Sequence, residues 1–381
     1  MEVYLDNSAT TKPYDAVVEE MTDILKYTYG NPSSLHSMGK KAEDALNGAR
    51  KVIADSLKCP EKEITFTSGG TESDNLAIIG AAMAYRKNGN KLITQVTEHM
   101  AVLEAFKFLE EQGFEVYYAP VDEKGRVDAD DIISHIDDRT ILVSIMHVNN
   151  ETGAVMPIEE IARRMDHSKC LLHVDAVQSY GKVDINVKKF GADMISISSH
   201  KIHGPNGVGA LYVRSGVRLL PVLHGGKQES GLRSGTENLA GICGFAKAAE
   251  IKLGSVENTG AHIEGLKESL KKALTSSIEN VMVNSPEDSM YSILNVSFPG
   301  LKSEVLLHIL ESKGIYVSTG SACNSKKKLN YVLGAMGIKD KVIDGAIRFS
   351  FSEFNTQEEI DYVAEVLKKE VPLLRKIMRY E

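Results

Sequence analysis

From about Tyr14 to Glu250 the chain alternates short apolar or β-branched runs with stretches of helical periodicity. The runs that read as strands are Glu63–Thr67, Lys91–Thr94, Glu115–Tyr118, Ile141–Met146, Leu171–Val174, Met194–Ile197 and Val208–Val213. Helical stretches lie between most of them, such as Thr71–Arg86, Met100–Glu111 and Pro157–Met165. Strands separated by helices predict an α/β fold with a mostly parallel seven-stranded sheet covered on both faces. Such sheets take their ligands at the carboxyl ends of strands. After about Gly254 the alternation stops. A long amphipathic helix over Gly260–Ser276 is followed by strands Tyr291–Ser297, Gly314–Val317 and Ala346–Phe351 and a final helix over Thr356–Met378. This order predicts a smaller α+β domain. The expected division is a large domain over 15–255 and a small one over 256–381, joined by the N-terminal arm 1–14.

Composition narrows the function classes. The chain has 381 residues, 25% charged and 43% hydrophobic, within the range of a globular protein. Its formal net charge of −8 argues against sequence-independent binding to nucleic acid, which depends on basic patches. No apolar run is long enough to span a bilayer, and the start Met-Glu-Val-Tyr-Leu-Asp-Asn lacks a signal peptide's basic and apolar segments. A cytoplasmic location is therefore expected, with reduced cysteines. The four cysteines (Cys59, Cys170, Cys243, Cys323) show no zinc-type spacing, and no metal is expected. Three of them sit in apolar or helical surroundings and read as inert core residues.

Three strand ends carry polar residues that are costly to bury unless used. Thr67-Ser68-Gly69-Gly70-Thr71-Glu72 lies between a strand and a helix; its glycines allow close backbone approach, and the first helical amides suit an anion. The same residues also read as a plain turn and N-cap. His173-Val174-Asp175-Ala176-Val177-Gln178 ends a strand in an acid, which either caps the next helix or faces a cation such as a protonated pyridine nitrogen. Ser198-Ser199-His200-Lys201 follows an apolar strand and precedes the Gly-rich segment 204–211. A lysine desolvated there suits Schiff-base chemistry, and Ser198 or His200 could donate to a phosphate. A phosphate cradle, an acid and a lysine at strand ends of one sheet are the parts that a pyridoxal 5'-phosphate site requires. His99 adds a ring that could stack on the cofactor, or a structural histidine.

Two further residues carry candidate chemistry. Cys323 lies in a small, polar and then basic stretch, Ser318 to Lys328, where neighbouring lysines favour the nucleophilic thiolate. Arg348, in Ala346-Ile347-Arg348-Phe349-Ser350, either pairs with an acid or grips a substrate carboxylate through two parallel bonds.

Taken together, the segments Tyr4–Thr11, Asn31–Ser34, Thr67–Asn75, Glu98-His99, Val148–Gly153, His173–Gln178, Ser198–Gly204, Leu232–Thr236 and Ser321-Ala322-Cys323 resemble the cysteine desulfurases of iron–sulfur cluster assembly and nitrogen fixation. These have the class V aminotransferase-like fold (fold type I of the pyridoxal-phosphate enzymes). The resemblance implies that Lys201 holds the cofactor, Asp175 pairs with its ring nitrogen and His99 stacks on the ring. It places Asn150 and Gln178 beside the ring and gives the phosphate to Gly70, Thr71, Ser198 and His200. Thr236 would reach the phosphate of a second subunit, which implies a homodimer. Arg348 and Asn150 would orient the substrate carboxylate, and Cys323 would carry a persulfide. The implied reaction converts L-cysteine to L-alanine, with the sulfur passed to an acceptor such as an iron–sulfur scaffold or a thiolation enzyme. Selenocysteine lyase and cysteine-sulfinate desulfinase share the cofactor logic but need no cysteine nucleophile; an aminotransferase of this fold or a sulfur-relay docking protein fits less well. Lys227 and Ser230 depart from the family's usual glycine and arginine, and Asn324 and the Lys326-Lys327-Lys328 run are further departures.

Overall fold

A computed structural model describes residues 1–254, 256–320 and 330–378, with the side chains of 256–258 and 378 excepted. Cys323 and Lys326–Lys328 lie outside the described residues. The chain opens on a two-residue strand, β1 (Val3–Tyr4), and a sheet of seven strands follows: β2 (Ile64–Thr67), β3 (Lys91–Gln95), β4 (Glu115–Ala119), β5 (Thr140–Ser144), β6 (Leu171–Asp175), β7 (Met194–Ser198) and β8 (Gly209–Val213). Their order is β2-β8-β7-β6-β5-β3-β4, and β8 alone runs against its neighbours. The predicted strands are all present, with ends moved by one or two residues. Helices Gly70–Tyr85, Met100–Glu111 and Ile158–Arg164 fall where the periodicity placed them.

The sheet divides two apolar cores because alternate side chains point to opposite faces. Ala210 and Tyr212 of β8 join the core that also holds Val17, Ile53 and Phe245 of helices Asp15–Tyr27, Ser37–Leu57 and Leu239–Leu253. Leu211 and Val213 join the other, with Leu76 of helix Gly70–Tyr85 and Phe106 of helix Met100–Glu111.

Strands β9 (Met282–Val283), β10 (Ile293–Ser297) and β12 (Ala346–Ser350) form a separate antiparallel sheet in the order β12-β10-β9. The two-residue β9 is too short for a period-2 signal and was not expected from the sequence. β11 (Ile315–Tyr316) instead pairs in parallel with β1. Val3 and Leu5 are buried with Leu270, Leu294, Phe349 and Leu367, so the N-terminal arm completes the core of the C-terminal part. Helices Val256–Ser277 and Gln357–Met378 cover that core. No helix among the described residues is long and apolar enough to cross a membrane.

Candidate active site

A cavity of about 410 Å3 opens at the carboxyl ends of the central strands. Gly70, Thr71, His99, Asn150, Asp175, Gln178, Ser198, His200, Lys201 and Arg348 all line it. The sequence motifs meet because parallel strands end on one edge of the sheet. Thr236 does not line the cavity and is exposed.

β2 ends at Thr67, and the chain turns through Ser68 and Gly69 into helix Gly70–Tyr85. A Cβ on Gly70 would lie 2.7 Å from Val177 Cγ2, so any side chain there would force the valine of the strand-end turn to move. Beside it, the Oγ of Ser198 is buried without a hydrogen-bond partner among the described residues. β6 ends in Asp175, whose Oδ1 accepts from Val177 N at 2.9 Å. Burial raises the Asp175 carboxyl, opposed by the Val177 amide and by electrostatic interaction with the neighbouring His99 and Lys201 side chains. Two further buried acids surround it. Burial and the Asp175 charge push Asp74, which lines the same cavity, well up; burial also pushes Glu98 well up. A negative charge is thus expensive here unless a cation shares the site.

β7 ends in Ser198, and a single turn carries Lys201 into the cavity. Lys201 Nζ donates to the carbonyls of Ser8 (2.5 Å) and Ala9 (2.7 Å). Ser8 O also accepts from Gln178 Nε2 at 2.9 Å, and Gln178 Oε1 accepts from buried Lys182 at 3.2 Å. The N-terminal arm therefore orients both the lysine and the glutamine. His200 Nδ1 lies 3.2 Å from Thr10 Oγ1, and burial lowers its imidazole to about 4, so it is neutral at pH 7. His99 caps helix Met100–Glu111: its Nδ1 accepts from Ala101 N at 3.1 Å. Burial lowers its pKa, and the accepted bond leaves the proton of the neutral ring on Nε2. His99 thus both caps a helix and lines the cavity.

Arg348 is buried. Its Nη1 donates to Glu151 Oε1 (2.9 Å) and Asn150 O (3.0 Å), and its Nη2 to Asp6 Oδ1 (2.9 Å). The ion-pair reading is thus realised, at the cavity wall. Asn150 Oδ1 is buried there without a hydrogen-bond partner among the described residues. Asp6, Ser8, Asp74, Glu151 and Lys182 were not singled out from sequence. Asp6, Ser8, Asp74 and Glu151 fall inside segments quoted for the resemblance, but only the fold shows which of those residues turn inward. The described cysteines lie elsewhere: Cys170 and Cys243 are buried and Cys59 is half-buried. Burial raises all three thiols to about 12, which makes them poor nucleophiles at neutral pH.

The aminotransferase class-V family model matches residues 3–363. A cysteine desulfurase IscS of Methanosarcina thermophila is 45% identical over 374 residues, covering 98% of this chain and 93% of that protein. The solved structure of a NifS-like protein superposes with a TM-score of 0.93 at 40% identity, covering 98% of this chain and all of that one. The structure titled SspA in complex with cysteine superposes at 0.81 with 34% identity, over 93% of this chain and all of that one. On its fold, its strand-end cavity and these full-length likenesses, the chain belongs to the aminotransferase class-V family and, within it, to the cysteine desulfurases.

Proposed function

We propose that the protein is a pyridoxal-phosphate-dependent L-cysteine desulfurase that converts L-cysteine to L-alanine and keeps the sulfur as a persulfide on Cys323. The observation that carries this reading is the convergence of Lys201, Asp175 and the Gly70–Thr71 helix start on one cavity. The donors fit the cofactor: the unpartnered Ser198 hydroxyl and the helix start suit a phosphate, Asp175 suits a ring cation, and Lys201 suits a covalent link to an aldehyde. When bound, the cofactor withdraws electrons from the substrate Cα and so weakens the C–S bond.

The protein's own groups do the rest. Arg348 and Asn150 hold the substrate carboxylate at the cavity wall. Lys201 Nζ, once released by the substrate amine, takes the Cα proton and returns it during turnover. The Ser8 and Ala9 carbonyls hold that amine in place. Gln178 is fixed at the cavity wall by Ser8 and Lys182, and His99 presents a neutral ring. Cys323 attacks the substrate sulfur as a thiolate. The C–S bond breaks, a disulfane S–S bond forms, and the substrate carbon takes up a proton to leave as alanine.

We read 15–255 as the cofactor-holding unit and 1–14 with 256–381 as the unit carrying Cys323; their separate cores support that division. Thr236, exposed and away from the cavity, is read as serving the site of a second copy in a homodimer. Sulfur then passes to a protein acceptor, and the basic Lys326–Lys328 run suits an acidic one. Brief exposure to L-cysteine should add about 32 Da to the Cys323 peptide, one sulfur atom, by mass spectrometry. Alanine release at the wild-type rate by Cys323→Ser would instead favour a lyase or desulfinase.

A further inference from the structure

Glu151 lies in the turn after β5, buried at 5% exposure. Its two carboxylate oxygens face different parts of the molecule. Oε1 accepts from Arg348 Nη1 at 2.9 Å and from Asn150 Nδ2 at 3.2 Å. Oε2 accepts from Asn330 Nδ2 at 3.0 Å. Gly320 packs on the same oxygen with φ +68°: a Cβ there would lie 2.2 Å from Glu151 Oε2 and 2.3 Å from Asn330 Nδ2. Gly320 and Asn330 are the described residues on either side of 321–329, the stretch that contains Cys323. Backbone pairing closes the ring: Arg348 N donates to Ser318 O at 2.7 Å and Ser318 N to Arg348 O at 3.2 Å.

We propose that Glu151 is a positioning residue for sulfur transfer, tying the substrate-carboxylate site at Arg348 to the two points where the chain enters and leaves the Cys323 segment. This rests on the roles proposed above for Arg348 and Cys323. A buried carboxylate is suited to the task because it accepts on both oxygens, and the three side chains bonded to it, Arg348, Asn150 and Asn330, all donate. An amide in its place would set an N–H against either Arg348 or Asn330, leaving a buried donor unpaired. Substrate would still bind through Arg348, which Asp6 and the Asn150 carbonyl also hold. Fewer bound substrates would then meet the nucleophile in a productive geometry, so the loss falls on turnover.

The test uses Glu151→Gln, Asn330→Asp and the double variant, each as cofactor-loaded full-length protein. The double variant reverses the polarity of one hydrogen bond: the new amide donates to the new carboxylate, while its oxygen still accepts from Arg348. Asn330→Asp keeps an acceptor for Val332 N and Leu333 N, so the cap of helix Tyr331–Ala335 is retained. Two quantities are compared: the kinetics of alanine release from L-cysteine, and the absorbance change on titration with L-alanine, which has the carboxylate but no sulfur. Each single variant should lose roughly tenfold or more in kcat, while KM and the L-alanine half-saturation stay within about threefold. The double variant should recover at least about fivefold over either single. An unchanged kcat in Glu151→Gln would overturn the proposal. So would a parallel loss of kcat and L-alanine affinity, since Glu151 would then only support Arg348, or a double variant no better than the worse single. Wild-type protein that released no alanine would sink the proposed function and this inference together; the other three outcomes sink the inference alone.

Discussion

Arg348 shows how one side chain can be held in an ion pair and still face a cavity. Its sequence context allowed either a structural ion pair or a carboxylate grip, and the structure pins the guanidinium with Asp6, Glu151 and the Asn150 carbonyl while leaving it on the cavity wall. The pins fix the plane of the fork, which a bidentate grip requires. Arg348→Lys keeps the charge but cannot reproduce that fork. A charge-assisted pair is worth roughly 1.5–3 kcal/mol, so KM for L-cysteine should rise about tenfold or more, with cofactor absorbance intact. An unchanged KM would make Arg348 purely structural. Asp175 and Lys201 were legible as candidates because an acid and a lysine following apolar strands are costly to bury unless used, and His99 stands beside them with a structural alternative. Their surroundings were not legible: burial lowers the His99 imidazole and raises the Asp175 carboxyl.

At the level of elements, the site is a set of strand ends. Period and composition located β2 to β8 to within one or two residues, since strands buried on both faces leave little ambiguity once helices separate them. Gly70 is where sequence and packing meet: the Ser-Gly-Gly-Thr segment marks a turn, but only the 2.7 Å approach to Val177 shows that a side chain on its second glycine would crowd that turn. Overpacking of this kind costs about 1–3 kcal/mol, and here it would displace the helix start from the Asp175–Gln178 turn. Gly70→Ala should therefore weaken pyridoxal 5'-phosphate binding to the apoprotein by roughly tenfold in an absorbance titration. Wild-type affinity in that variant would show that the helix start does not hold the phosphate. β1 and β9, each of two residues, carry no periodicity of their own and exist only through their partners.

Across the whole molecule, distant segments converge on Glu353. Its carboxylate takes hydrogen bonds from Tyr14 and from Lys252 Nζ (2.6 Å) and faces His203 Nε2 at 3.3 Å, tying the end of the N-terminal arm, helix Leu239–Leu253 and the turn after Lys201 to the chain beyond β12. Burial alone would raise this carboxyl, but His203 and Lys252 outweigh it and hold it far below its ordinary value. A depressed carboxyl contributes stability above the unfolded pKa of about 4.3, and that contribution fades as pH falls through the folded value. Glu353→Gln leaves the buried Lys252 without its carboxylate and should cost roughly 3 kcal/mol in urea unfolding at pH 7. The deficit should hold down to about pH 5 and shrink below about pH 4.3; one that grew toward acid would refute the assignment. By itself, the sequence determined the layered α/β plan, the strand ends and the chemical types at the site, because periodicity, turn residues and unusual polar positions are local properties of the chain. Tertiary structure alone decided that the N-terminal arm orients Lys201 and Gln178 through Ser8, that Glu151 bridges Arg348 to Gly320 and Asn330, and that Glu353 ties three distant segments to its own. Those contacts join residues as far apart as 339 positions, and only folding brings such groups within hydrogen-bond reach and removes the water that would otherwise screen them.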